Sequence, residues 1–229
     1  MRVEIHDARK RFGRVGALRG VDLVVPAGGR VALVGPNGSG KSTLIRTLLG
    51  LIDYQGTVLL DGRSPYDDRV EIAAQLAYVP QVAPALGATV DEVVRLVTHT
   101  RDLDAAEVAR VAALFDLDLA RAGSQPFRNL SGGMKQKLLL SAAFAARPSL
   151  MVLDEPTASL DVRAREQFFS MCSQLDADVT LLLCSHRVEE LRHLANRVVA
   201  LDDGRVTFDG PVDQYLQANA ALAAEVAHA

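Results

Sequence analysis

Apolar residues are spaced in two ways along this chain, and the spacing predicts its elements. Arg30-Val31-Ala32-Leu33-Val34, Leu150-Met151-Val152-Leu153 and Val179 to Cys184 are short continuous apolar runs. Runs of that length and composition predict strands buried on both faces. Val3 to His6, Val21 to Val25 and Val58-Leu59-Leu60 predict shorter strands around polar, glycine-bearing turns, an antiparallel sheet near the N-terminus. Ile72 to Val79 predicts a further strand running into Pro80-Gln81. Helical spacing appears first at Leu44, Ile45, Leu48 and Leu49, where Gly50 ends it. It returns between Thr89 and Arg147, with Val90, Val93, Val94 and Val97, then Val108, Val111, Ala112, Leu114 and Phe115, acidic residues taking the other faces. Val198 to Leu201 and Arg205 to Phe208 flank Asp203-Gly204 and predict a closing hairpin. Beyond Pro211, Leu216, Leu222 and Val226 in an Ala-rich stretch predict a short helix.

The segment between the first buried strand and the first helix carries the clearest chemistry. Gly35-Pro36-Asn37-Gly38-Ser39-Gly40-Lys41-Ser42-Thr43 satisfies the phosphate-binding spacing G-x-x-x-x-G-K-[S/T] in its required context of strand, loop and helix. Its glycines allow successive backbone N–H groups to turn toward phosphate oxygens. Lys41 supplies a point charge for the β- and γ-phosphates, Ser42 offers a hydroxyl to Mg²⁺, and the positive end of the helix faces the same anion.

Further candidates lie at predicted strand ends and helix starts. Leu153 leads into Asp154-Glu155, a pair in which the Asp holds Mg²⁺ and the Glu orients water. Asn129-Leu130-Ser131-Gly132-Gly133 opens a long apolar helix with Ser131 at the N-cap, a second anion-binding helix start. Gln81 follows a predicted strand, where its carbonyl either reaches Mg²⁺ or is a solvated loop group. Phe12, in the first connection, is either a ring that stacks on a purine or an ordinary packing residue. His186 follows a buried strand, unlike His6, His99, His193 and His228, which read as structural or solvated.

Composition narrows the class. With 229 residues and 49% hydrophobic content, the chain reads as one domain with an inserted subdomain. A net charge of −3 and the lack of a long basic block argue against nucleic acid as a partner. The short run Arg9-Lys10-Arg11 with Arg14 reads as a solvated turn. Cys172 and Cys184 suit neither a zinc site nor a disulfide framework and read as core residues of a reducing compartment. No apolar run is long enough to span a membrane and no signal core opens the chain, so direct membrane insertion is not expected.

Taken together, these motifs resemble the ATP-binding cassette (ABC) ATPase family from Phe12 to about Gly210. Leu130-Ser131-Gly132-Gly133, placed before a strand ending in Asp154-Glu155, separates that family from GTPases, kinases and other users of the same cradle. The resemblance implies an α/β fold, a P-loop NTPase (RecA-like) core with an N-terminal antiparallel β subdomain. It also implies an α-helical subdomain inserted at roughly 82–148 and a short C-terminal tail, 211–229, in a single ABC ATPase domain. It further implies that Phe12 stacks on adenine, that 35–43 are the Walker A loop and that Gln81 senses Mg²⁺ and a transporter interface. Asp154 becomes the Walker B carboxylate, Glu155 the general base, Ser159-Leu160-Asp161 the D-loop and His186 the switch at the γ-phosphate. Phe12 stands for the commoner Tyr, and Met134 and Lys137 for the commoner Gln and Arg.

The implied activity is Mg-dependent ATP hydrolysis, with ATP and Mg²⁺ bound between two copies in a homodimer or a heterodimer. Each signature helix then caps the nucleotide of the other copy. The expected setting is the cytoplasmic face of a membrane, through separately encoded permease subunits. The alternative is a soluble ABC ATPase that drives an assembly or remodelling complex. A small-molecule kinase has no use for Ser131-Gly132-Gly133.

Overall fold

The structure is a computed structural model that describes residues 1–227. The chain divides into two compact units, one made of residues 1–72 with 177 onward and the other of residues 73–176.

The first unit opens with β1 (Val3–Phe12) and β2 (Val15–Val25), then β3 (Arg30–Val34), α1 (Lys41–Leu48) and β4 (Gln55–Leu60). β1 lies between β2 and β4, antiparallel to both. Strands were expected at Val3 to His6 and Val21 to Val25 with a turn between them; instead both strands continue, and only Gly13-Arg14 separates them. The extension is hard to read because the ladder is irregular between Ile5 and Ala8, where Asp7 has a φ of 47°, and again between Lys10 and Arg11. Each irregularity shifts the two-residue alternation, and the charged residues between carry no apolar trace. Phe12 consequently ends a strand rather than lying in a connection.

α2 (Arg69–Gln75) spans the junction in sequence and corrects a second expectation. Ile72 to Val79 is not one strand: residues up to Gln75 are helical and only β5 (Leu76–Val79) is extended. Glu, Ala and Gln at 71 and 73–75 favour helix, while only Ile72 of that helix is buried.

The second unit continues from β5 with α3 (Val90–Arg101), α4 (Ala105–Leu114), α5 (Leu119–Ala122) and a 3₁₀ turn at Phe127–Asn129. α6 (Gly132–Ala145), β6 (Leu150–Asp154) and α7 (Val162–Ser173) complete it. β5 and β6 run parallel, with Val79 opposite Leu153. Val90, Val93, Ala112, Leu117, Phe127, Leu130 and Leu138 form its helical core; Val90, Val93 and Ala112 come from the expected stripe, whereas Leu114, also expected there, is exposed. Phe144 links Phe115 and Phe168 at ring distances of 6.5 and 6.1 Å.

Returning to the first unit, the chain forms β7 (Thr180–Cys184), α8 (Val188–Leu194), β8 (Arg197–Asp202), β9 (Arg205–Pro211) and α9 (Val212–Ala227). β3 lies between β7 and β8, parallel to both, and β9 returns antiparallel to β8. Asp203 and Gly204 both have positive φ, 44° and 73°, as the hairpin turn requires. Cys172 and Cys184 are both buried. Among the described residues no helix is long and apolar enough to cross a membrane.

Candidate functional site

Parallel pairing brings functional residues to common strand tips. In the first unit, Leu33 of β3 is opposite Cys184 of β7, so the loop from Gly35 and the segment Ser185-His186 leave the same end of neighbouring strands. Adjacent strands are about 4.8 Å apart, so the segments that carry Lys41, Ser42 and His186 leave from neighbouring strand ends. The second unit repeats the arrangement: Val79 opposite Leu153 sets Gln81 beside Asp154 and Glu155.

The loop after β3 is a cradle in geometry as well as spacing. Gly35 has a φ of 141°, and a Cβ there would collide with the Leu201 carbonyl oxygen and lie 2.9 Å from Ser39 Oγ. Only a glycine fits so close to another backbone. Gly38 and Gly40 also have positive φ. Lys41 Nζ donates to the carbonyl oxygens of Gly35 at 2.7 Å and Pro36 at 3.0 Å, which holds its ammonium across the loop. Pro36, Asn37 and Gly38 are exposed, Ser39 and Gly40 are buried, and Ser42 presents its hydroxyl to solvent.

Helix electrostatics separate two helix starts from the others. α2, α3, α4, α8 and α9 carry Asp or Glu in the first turn, and Asp118 and Asp161 cap α5 and α7, the usual complement to a helix's positive end. α1 and α6 carry none. Gly40 gives α1 no side-chain cap, so the first-turn N–H groups, including those of Ser42 and Thr43, face outward uncapped. At α6, Ser131 Oγ accepts from Met134 N–H at 3.2 Å, confirming the predicted N-cap, and Ser131 and Gly132 are exposed. Both helix starts suit anions.

Around β6 the chain is held tightly. Asp154 and Glu155 are 9% and 8% exposed, and Glu155 takes a φ of 47°. A non-glycine residue in that region is strained, and such strain concentrates where a side chain must be aimed. The following loop is tied to α6 within the same unit. Gln136 Nε2 donates to the Pro156 carbonyl at 3.1 Å, and a Cβ on Gly133 would sit 2.9 Å from the Ser159 carbonyl oxygen. Lys137 Nζ donates to Asp161 Oδ2 at 2.8 Å while Asp161 Oδ1 caps α7 through Ala164 N–H at 2.9 Å. The Lys137 ammonium accordingly holds the Asp161 carboxyl below the usual carboxylate range. The sequence reading contained no role for Gln136; its trace is a polar residue inside an apolar helix.

His186 and Gln81 are both exposed. His6, His99 and His193 are exposed too, and His228 lies outside the described residues. Phe12 is 48% exposed, a ring available to a ligand rather than a core residue.

Each unit offers oxygen donors to a metal ion, the Ser42 hydroxyl in the first and the Gln81 carbonyl and Asp154 carboxylate in the second. Among the described residues no cluster of three His, Cys, Asp or Glu side chains makes a protein cage for a metal. Few protein oxygens, completed by phosphates and water, is the mode of Mg²⁺ and not of zinc. Oxygen donors of this kind are compatible with Mg²⁺.

Comparison with known proteins identifies the family. The family profile described as ABC transporter matches residues 18–158. The chain is 33% identical over 217 residues to the aliphatic sulfonates import ATP-binding protein SsuB 1 of Rhizobium johnstonii, covering 92% of this chain and 77% of that protein. It is 34% identical over 220 residues to the methionine import ATP-binding protein MetN of Mesorhizobium japonicum, covering 92% of this chain but only 60% of that one. A solved structure of an ATP-binding subunit of an ABC transporter superposes with a TM-score of 0.83 at 30% identity, over 93% of this chain and 91% of the other. The fold is thus a RecA-like P-loop NTPase core with an N-terminal β subdomain and a helical subdomain. With its phosphate cradle, its Leu130-Ser131-Gly132-Gly133 helix start and its matched relatives in agreement, the chain belongs to the ABC transporter family as an ATP-binding subunit.

Proposed function

We propose that this chain hydrolyses ATP as one of a pair of identical or related subunits and drives a separate membrane permease. The observation that carries the hydrolytic part is Glu155, a nearly buried carboxylate in a strained backbone conformation next to Asp154 at the tip of β6. The cradle 35–43 binds the phosphates through backbone N–H groups, with Lys41 on the β- and γ-phosphates. Ser42, Asp154 and Gln81 hold the magnesium. When bound, Mg²⁺ neutralises charge across the β- and γ-phosphates. Glu155 accepts a hydrogen bond from the attacking water and orients it, and His186 donates to the γ-phosphate. Phe12 stacks on the base.

Two acid-free helix starts in one chain support pairing. α1 belongs to the cradle, whereas the start of α6, with Ser131, Gly132 and Gly133, is free to cap the γ-phosphate held by a second copy. ATP then joins two subunits, and its hydrolysis releases them. The helical subdomain, roughly 82–148 within a single ABC ATPase domain, and the loop at Gln81 contact the permease. The location is peripheral, on the cytoplasmic face of the membrane. Both relatives are named as import proteins, which favours the transporter over a soluble remodelling ATPase.

The test is affinity capture of the tagged Glu155→Gln subunit with ATP from detergent-solubilised membranes, followed by identification of the captured chains. A multi-span permease is the expected partner. Recovery of soluble proteins alone would overturn the transporter reading in favour of the remodelling complex.

A further inference from the structure

Phe12 ends β1 with nearly half its surface exposed, and its ring has a charged neighbour. Lys10 Nζ lies over one face, 5.1 Å from the ring centroid and within cation–π range. The same ammonium donates to Asp53 Oδ1 at 2.6 Å. The Lys10 side chain is 10% exposed, whereas that of Asp53 is 92% exposed. A covered lysine stem therefore passes beneath the ring and is fastened at its tip by a carboxylate reaching in from solvent.

The anchor matters because of its surroundings. Lys10 and Asp53 line a groove of about 600 Å³ with Arg9, Arg11, Arg14 and Arg205. Repulsion among these cations drives an unfastened ammonium toward water and away from the ring. Asp53 opposes that, and the Lys10 ammonium in turn holds its carboxyl below the usual range. Backbone pairing fixes where the two meet: Arg9, next to Lys10, is opposite Gln55 of β4, two residues after Asp53. With the Asp53 side chain almost fully in solvent, the pair adds little to stability by itself.

We infer that Lys10 and Asp53 are positioning residues that hold the Phe12 ring at a fixed angle and leave its other face to the nucleotide base. The inference rests on the reading of Phe12 as the base-stacking residue. With one face backed by the ammonium, less rotational freedom is lost when a base stacks on the other, so affinity rises without a direct contact. Tripolyphosphate has no base and does not use the device.

The test is calorimetric titration of the full chain with magnesium ATP and with magnesium tripolyphosphate. Lys10→Met and Asp53→Asn should each weaken ATP binding about threefold to tenfold. Neither should change tripolyphosphate affinity, Lys10→Arg should retain the wild-type value, and the double variant should lose no more than either single one. Equal losses for ATP and tripolyphosphate would overturn the inference, because Lys10 would then act as a general charge. Unchanged ATP affinity in Lys10→Met and Asp53→Asn, with a loss in Phe12→Ala, would overturn positioning alone. Unchanged ATP affinity in Phe12→Ala would overturn the stacking role itself. Asp53→Asn alters an exposed carboxylate, so the comparison survives if replacement of Lys10 disturbs folding.

Discussion

At the scale of single residues, backbone conformation decides what the site can hold. Gly35 is legible in sequence because the cradle spacing demands glycine, and the structure adds the reason: a side chain there meets the Leu201 carbonyl oxygen. Gly35→Ala should weaken ATP binding at least tenfold and destabilise the fold by about 2 kcal/mol, checked by calorimetry and thermal unfolding. Lys41→Ala removes the charge without moving the backbone, so it should lower ATP affinity by about tenfold or more with little change in melting temperature. Neither the strain at Glu155 nor the cation behind Phe12 is legible in this way. Glutamate has no preference that announces a φ of 47°, and Lys10 meets Asp53 only because β1 and β4 pair across a separation of more than forty positions.

Among the elements, the sequence is clearest where burial is complete. β3, β6 and β7 are continuous apolar runs, and each pairs in parallel with a strand of its own unit, as that pattern implies. It is least clear where a strand has a solvated face and an irregular ladder, as in β1 and β2, or where a short helix abuts a strand, as α2 does β5. The start of α3 carries a readable signal of another kind: Thr89 and Glu92 form a capping box. Thr89 Oγ1 accepts from Glu92 N–H at 3.3 Å, and Glu92 Oε2 accepts from Thr89 N–H at 2.8 Å. Thr89→Ala should destabilise the chain by about 1 kcal/mol in urea unfolding, with ATP affinity unchanged. The Thr89 backbone N–H holds the Glu92 carboxyl below its ordinary value. A carboxylate lowered on folding stabilises the native state above its unfolded pKa, and that contribution disappears as pH falls through the folded value. Wild type and Glu92→Gln should therefore differ in stability at neutral pH and converge in acid, as melting temperatures measured across pH would reveal.

For the whole molecule, the informative feature is that one chain carries two helix starts suited to phosphate, α1 and α6, together with one cradle spacing and the carboxylate pair Asp154-Glu155 at the end of β6. The order of these motifs is legible from sequence, as is the family. The cargo is not, because under the proposed function it is selected by a separate permease. The central claim is that ATP joins two subunits and that Glu155 directs the water which releases them. The most direct test is sedimentation velocity of purified Glu155→Gln with and without magnesium ATP, with Lys41→Ala as the control and turnover measured alongside. Glu155→Gln should hydrolyse ATP at about a hundredth of the wild-type rate or less, sediment as a monomer without nucleotide and become a dimer with ATP, while Lys41→Ala remains a monomer throughout. A Glu155→Gln subunit that binds ATP, or hydrolyses it at the wild-type rate, and still sediments as a monomer would contradict the account.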